Sequence, residues 1–104
     1  MATTLGCIKF RCSKKNILFN ITLSDLLPLP QVCPDLAIQL SYTTKGHHTG
    51  YFATVDRIVP DLGYVPGNVR IISYKANAMK QNASLAELKT IACSWLELVK
   101  RLEE

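Results

Sequence analysis

Residues 51–80 read YFATVDRIVPDLGYVPGNVRIISYKANAMK, and their order sets the fold. Tyr51 to Ile58 is dominated by Tyr, Phe, Thr, Val and Ile, residues that fit a pleated, half-buried surface, and it reads as a strand. Pro60 ends it by withholding a backbone donor. Asp61 to Gly67 contains two glycines and a proline and reads as a structured loop. Val69 to Ile72 is rich in β-branched residues and makes a second strand. Tyr74 to Lys80 then runs away from that strand as a helix. Strand, loop, strand and helix within so short a stretch predict a small α+β fold.

Downstream, Ser84-Leu85-Ala86-Glu87 is a capping box. Leu85, Leu88, Ala92, Trp95, Val99 and Leu102 follow at three-and-four spacing, so residues 84–103 form a C-terminal helix. Such a stripe ordinarily packs on the domain's own core, and a dimer seam is the other use for it. Cys93 falls on the apolar side as a small hydrophobe. Upstream, Leu5, Ile8 and Cys12 lie near helical spacing over Thr4 to Lys15, with Gly6 weakening that helix. Thr22 is a plausible N-cap with Asp25 in the first turn and Leu26 and Leu27 turned inward. Pro28 and Pro30 stop that turn, and Ala37 to Ser41 alternates as a short strand. Residues 15–42 therefore read as an N-terminal helical and extended segment. Tyr42 to Gly50 is a polar loop.

The chain has 104 residues, 48% hydrophobic and 19% charged, which suits one domain with one modest core. No apolar run approaches the ~20 residues of a membrane span, so no membrane association is expected. Met1 to Cys12 lacks the layout of a signal peptide, and the four cysteines, Cys7, Cys12, Cys33 and Cys93, form neither a CxxC pair nor a zinc-finger spacing. A reduced, cytoplasmic protein without structural zinc is expected. The net charge of +4 is unevenly placed. Nine of the twelve basic residues lie in 1–20 and 45–80, opposed there by Asp56 and Asp61 alone. A basic body suits a polyanionic partner.

Within the central stretch, Asp56 and Arg57 fall on the first strand, Asn68 at the end of the loop, and Asn77 and Lys80 on the helix. A hard divalent cation needs a carboxylate plus carbonyl-type oxygens converging from separate elements, and Asp56 with Asn77 has that character. Asn68 can brace the loop through its backbone. Lys80, one helical turn from Asn77, can meet a phosphate. Structural roles for both asparagines, at a strand end and a helix start, stand beside these.

Asp56-Arg57-Ile58, Gly63-Tyr64, Gly67-Asn68-Val69 and Asn77-Ala78-Met79-Lys80, in that order, resemble the HNH endonuclease family. The small bacteriophage-type proteins of that family are the ones most resembled, with a core of the form DRI…GY…GNV…N..K. Phe19-Asn20-Ile21-Thr22 with Asp25, Cys33-Pro34 through Leu40, and Leu85 to Leu96 are similar to the segments that flank that core. The likeness covers roughly residues 15–99. It implies a single domain over 1–104, built as a ββα-metal (His-Me) finger over 51–80 with flanking N- and C-terminal helices.

By position, the resemblance implies a single Mg²⁺ or Mn²⁺ held by Asp56 and Asn77, with Asn68 as the middle asparagine that orients the base and the loop. Arg70, Lys75, Lys80 and Lys45 would contact nucleic acid. The family's general base is a histidine where this chain has Arg57, and a guanidinium cannot abstract a proton. Arg57 would instead clamp phosphate, leaving His47 or His48, the only histidines, as substitute base. The zinc-binding Cys pairs of many relatives are missing too, with Ser73 and Tyr74 standing in the later half. Two functions follow as expectations. One is a metal-dependent DNA endonuclease or nickase of phage or mobile-element origin, acting in the host cytoplasm. The other is a catalytically weakened module that binds nucleic acid or inhibits a protein partner, as monomer or homodimer.

Overall fold

A computed structural model describes residues 1–43 and 49–104. It is a small α+β fold of three α-helices and a two-stranded antiparallel sheet. α1 spans Ala2–Lys15 and buries Leu5, Ile8 and Cys12, the stripe its spacing predicts. Asn16, in the left-handed region at φ 55, ends it, and Ile17 N–H donates to the Cys12 carbonyl at 3.0 Å. Lys14 and Lys15 sit in its last turn, where cations oppose the helix dipole.

Between residues 16 and 42 the chain contains no α-helix, contrary to the helical reading of that segment. The Thr22 cap is present: Thr22 N–H donates to Asp25 Oδ2 at 2.8 Å, opening a 3₁₀ turn over Leu23–Leu26. Leu26 is buried as expected, but Leu27 is 56% exposed, because one 3₁₀ turn has a single inward face. The strand expected over Ala37 to Ser41 is replaced by a reversal. Ala37 adopts φ 58, Cys33 N–H donates to Ile38 O at 2.8 Å, and Val32 bridges Gln39. Alternation over five residues cannot register that fold-back.

β1 (Ala53–Arg57) and β2 (Val69–Ser73) pair with Val55 opposite Ile71 and Asp56 opposite Arg70. α2 (Tyr74–Lys80) follows without a break, since Ser73 closes the sheet and caps the helix, its Oγ accepting from Ala76 N–H at 3.1 Å. Val55, Ile71, Ile72 and Ala76 join the α1 stripe, Ile21, Leu26, Cys33 and Leu40 in one core. Cys33 Sγ accepts from Ser73 N–H at 3.3 Å, tying the upstream loop to the strand–helix junction.

α3 (Leu85–Leu102) carries the predicted capping box: Ser84 N–H donates to Glu87 Oε1 at 2.9 Å and Ser84 Oγ accepts from Glu87 N–H at 3.1 Å. Its apolar stripe does not enter the core. No α3 residue is buried, Trp95 is 58% exposed, and Cys93 is exposed. The stripe instead walls an open apolar groove of about 540 Å³ with Leu36, Ala76 and Met79. No helix is long and apolar enough to cross a membrane among the described residues.

Candidate active site

The site grows from two periodicities that meet. Thr54 and Asp56, two apart on β1, share one face of the strand; Asn77 and Lys80, three apart on α2, share one face of the helix. The two faces are cross-linked twice. Asn77 Nδ2 donates to Thr54 Oγ1 at 3.3 Å, and that hydroxyl donates to Ile72 O at 2.9 Å. Lys80 Nζ donates to Asp56 Oδ1 and to the Arg57 carbonyl, both at 3.1 Å. The Asp56–Lys80 pair is buried, the side chains being 5% and 9% exposed. Asp56 Oδ2 is likewise buried and has no hydrogen-bond partner.

Asn68 holds the loop that carries the other wall. Its Oδ1 accepts from Val59 N–H at 2.9 Å, and its Nδ2 donates to Val59 O at 3.0 Å and Gly63 O at 2.7 Å. This is the bracing role read from its position, completed by Ile58 N–H donating to the Asn68 carbonyl at 2.8 Å. Arg57 reaches into the same loop, donating from Nη1 to Pro60 O at 3.1 Å, with its guanidinium 5.3 Å from the centre of the Tyr64 ring. Burial raises the Tyr64 phenol and the Arg57 charge pulls it back, a net upward shift that keeps it neutral near pH 7.

Asp56, Arg57, Asn77 and Lys80 line one cleft of about 360 Å³, together with Thr54, Tyr64, Tyr74 and Arg11. Three cations thus face a single carboxylate. Arg11, which no sequence motif marks, comes from α1; its signal was its place three residues after the inward-facing Ile8. Three expected nucleic-acid contacts fall elsewhere or outside view. Arg70 is ion-paired with Asp35 and does not line the cleft. Lys75 is exposed on α2 but is two residues from Asn77, which turns it off the cleft face. Lys45, His47 and His48 lie outside the described residues.

The donor set can be tested against a divalent ion. Asp56 Oδ2 is a buried carboxylate oxygen without a partner. Asn77 bonds Thr54 through its nitrogen, which leaves its amide oxygen to offer. Both residues line the same cleft. Two oxygen donors suit a hard ion that keeps most of its waters, as Mg²⁺ and Mn²⁺ do. Among the described residues no cluster of three or more His, Cys, Asp or Glu gathers, so water and substrate would complete the shell. The Lys80 ammonium competes for the same carboxylate. Compared with known families, curated proteins and solved structures, the chain matches none.

Proposed function

We propose that this chain is a small HNH-type ββα finger acting on nucleic acid as a divalent-metal-dependent endonuclease or nickase. The observation that carries the reading is the buried, half-satisfied Asp56 carboxylate on the wall of a cationic cleft it shares with Asn77. The consecutive order of β1, β2 and α2 supports it as well. Asp56 and Asn77 would hold Mg²⁺ or Mn²⁺, which supplies stabilisation of negative charge on the leaving oxygen. Lys80 and Arg57 present two positive groups to the phosphodiester. Asn68 fixes the loop whose Pro60 carbonyl accepts from Arg57. Proton removal from water falls to a group other than Arg57, with His47 or His48 as the histidines available.

Incubation of supercoiled plasmid with the protein and Mg²⁺ or Mn²⁺ tests this. Nicking by the parent protein, lost in Asp56→Ala and Asn77→Ala, is the expected result; no nicking by the parent with either metal overturns it. A second reading, a module of the same fold that binds nucleic acid without cutting it, is favoured by the Lys80 ammonium already seated on Asp56. It predicts salt-sensitive DNA binding with no metal-dependent nicking. Affinity that is flat in salt points instead to a protein partner.

A further inference from the structure

A second, smaller cavity of about 80 Å³ adjoins the main cleft and shares Ile8, Arg11, Arg57 and Tyr64 with it. At its far side stands Lys15. The two cavities lie side by side, and their linings together carry Lys80, Arg57, Arg11 and Lys15. Arg11 and Lys15 are four apart on α1, one helical turn or about 6 Å along its axis, and project from the same side. Both are exposed. The ion pairs among the described residues are Asp35–Arg70 and Asp56–Lys80, so neither α1 cation has a carboxylate partner. Residues 1–20 contain no acid at all. Neither side chain enters the core, while Arg70 on β2, a cation expected at the nucleic acid, is taken by Asp35.

We propose that α1 is the second wall of a groove for a nucleic-acid backbone, in which Arg11 and Lys15 take the phosphates next to the one lying in the Asp56–Lys80 cleft. The proposal rests on the nucleic-acid reading of the cleft and adds to it a defined path for the strand. It moves the positioning contacts from Arg70 and Lys75 to α1. Such contacts fix register and carry no sequence preference.

The test is the salt dependence of binding to a short labelled duplex, followed by fluorescence anisotropy. Arg11→Gln/Lys15→Gln, which keeps good helix formers on exposed positions, is expected to flatten the slope of log K against log salt by about 1.8, two phosphate contacts' worth. Lys9→Gln/Lys89→Gln removes equal charge away from both cavities and should leave the slope at the parent value. Arg11→Lys/Lys15→Arg should keep it as well. A parent that binds with steep salt dependence while Arg11→Gln/Lys15→Gln is no flatter than the Lys9/Lys89 control overturns the α1 path alone. A parent with no salt-dependent binding overturns the nucleic-acid reading itself, and the α1 path with it.

Discussion

Asp56 is taken almost wholly out of water, yet only one of its two oxygens is bonded. A fully structural carboxylate at that depth would have both oxygens satisfied, as the Asn68 amide is by its three bonds. The neighbouring Arg57 sits where the resembled family has its base, so Arg57→His should raise the rate of plasmid nicking by about 10²-fold or more. An unchanged rate would mean that this side chain is not at the chemistry. Two glycines give a sharper test of the loop. At Gly63, with φ 76, a Cβ would lie 2.5 Å from the Leu18 carbonyl oxygen, whereas Gly67, with φ 84, has open space around it. Gly67→Ala should therefore cost only about 1–2 kcal/mol, the left-handed penalty, and Gly63→Ala clearly more. Chemical denaturation measures both, and equal losses would contradict the close approach of residues 18 and 63. The strand and helix periods that bring Asp56 and Asn77 to one cleft were legible in the sequence, and so was the loop position from which Asn68, outside that cleft, braces its backbone. Arg11 was not, because nothing in the sequence says that α1 lies against β1.

At the scale of elements, what could be read locally was read. The Ser84 capping box closes as its spacing predicts, and Thr22 takes its N-cap place with its N–H on Asp25. β1, β2 and α2 fall within two residues of the expected limits, because β-branched runs bounded by Pro and Gly leave little freedom. Ala37 to Ser41 does not form the expected strand because the chain reverses at Ala37, whose φ of 58 is a conformation that alanine rarely adopts and that only the surrounding bonds enforce. The Ser84 box also carries a pH dependence. The Ser84 N–H, and with it the hydroxyl, hold the Glu87 carboxyl below its ordinary value of 4.5. A depressed folded value means that this stabilisation is fully present above pH 4.5 and is lost as pH falls through the folded value. After correction for the intrinsic slowing of amide exchange in acid, the protection factors of the Ser84 and Glu87 amides should fall on acidification below pH 4.5. In Glu87→Gln that local pH response should vanish; its persistence would place the titrating group elsewhere.

The whole molecule measures 47 × 34 × 22 Å with a radius of gyration of 15.1 Å, against about 13 Å for a compact chain of this length. α3 has no buried residue and stands off the core with its apolar stripe open. An amphipathic pattern states which face of a helix is apolar, and nothing about what that face will meet; that is why the stripe was legible and its packing was not. Trp95 is the sole tryptophan and is 58% exposed, so its emission should be red-shifted and readily quenched by acrylamide in dilute solution. A blue-shifted, protected signal would show that the face is covered. On α3 or at its end, Glu87, Glu97, Glu103 and Glu104 are nearly balanced by Lys89, Lys100 and Arg101, so the basic excess lies on the α1 and cleft side. The endonuclease reading depends on whether Asp56 takes a divalent ion in competition with Lys80, and that can be measured directly. Mn²⁺ titrated into the parent, Asp56→Asn and Lys80→Met, read by the paramagnetic relaxation of water, should reveal one saturable site in the parent. The site should disappear in Asp56→Asn and bind more tightly in Lys80→Met, where no ammonium competes. Equal Mn²⁺ uptake by the parent and Asp56→Asn would contradict a metal site at Asp56.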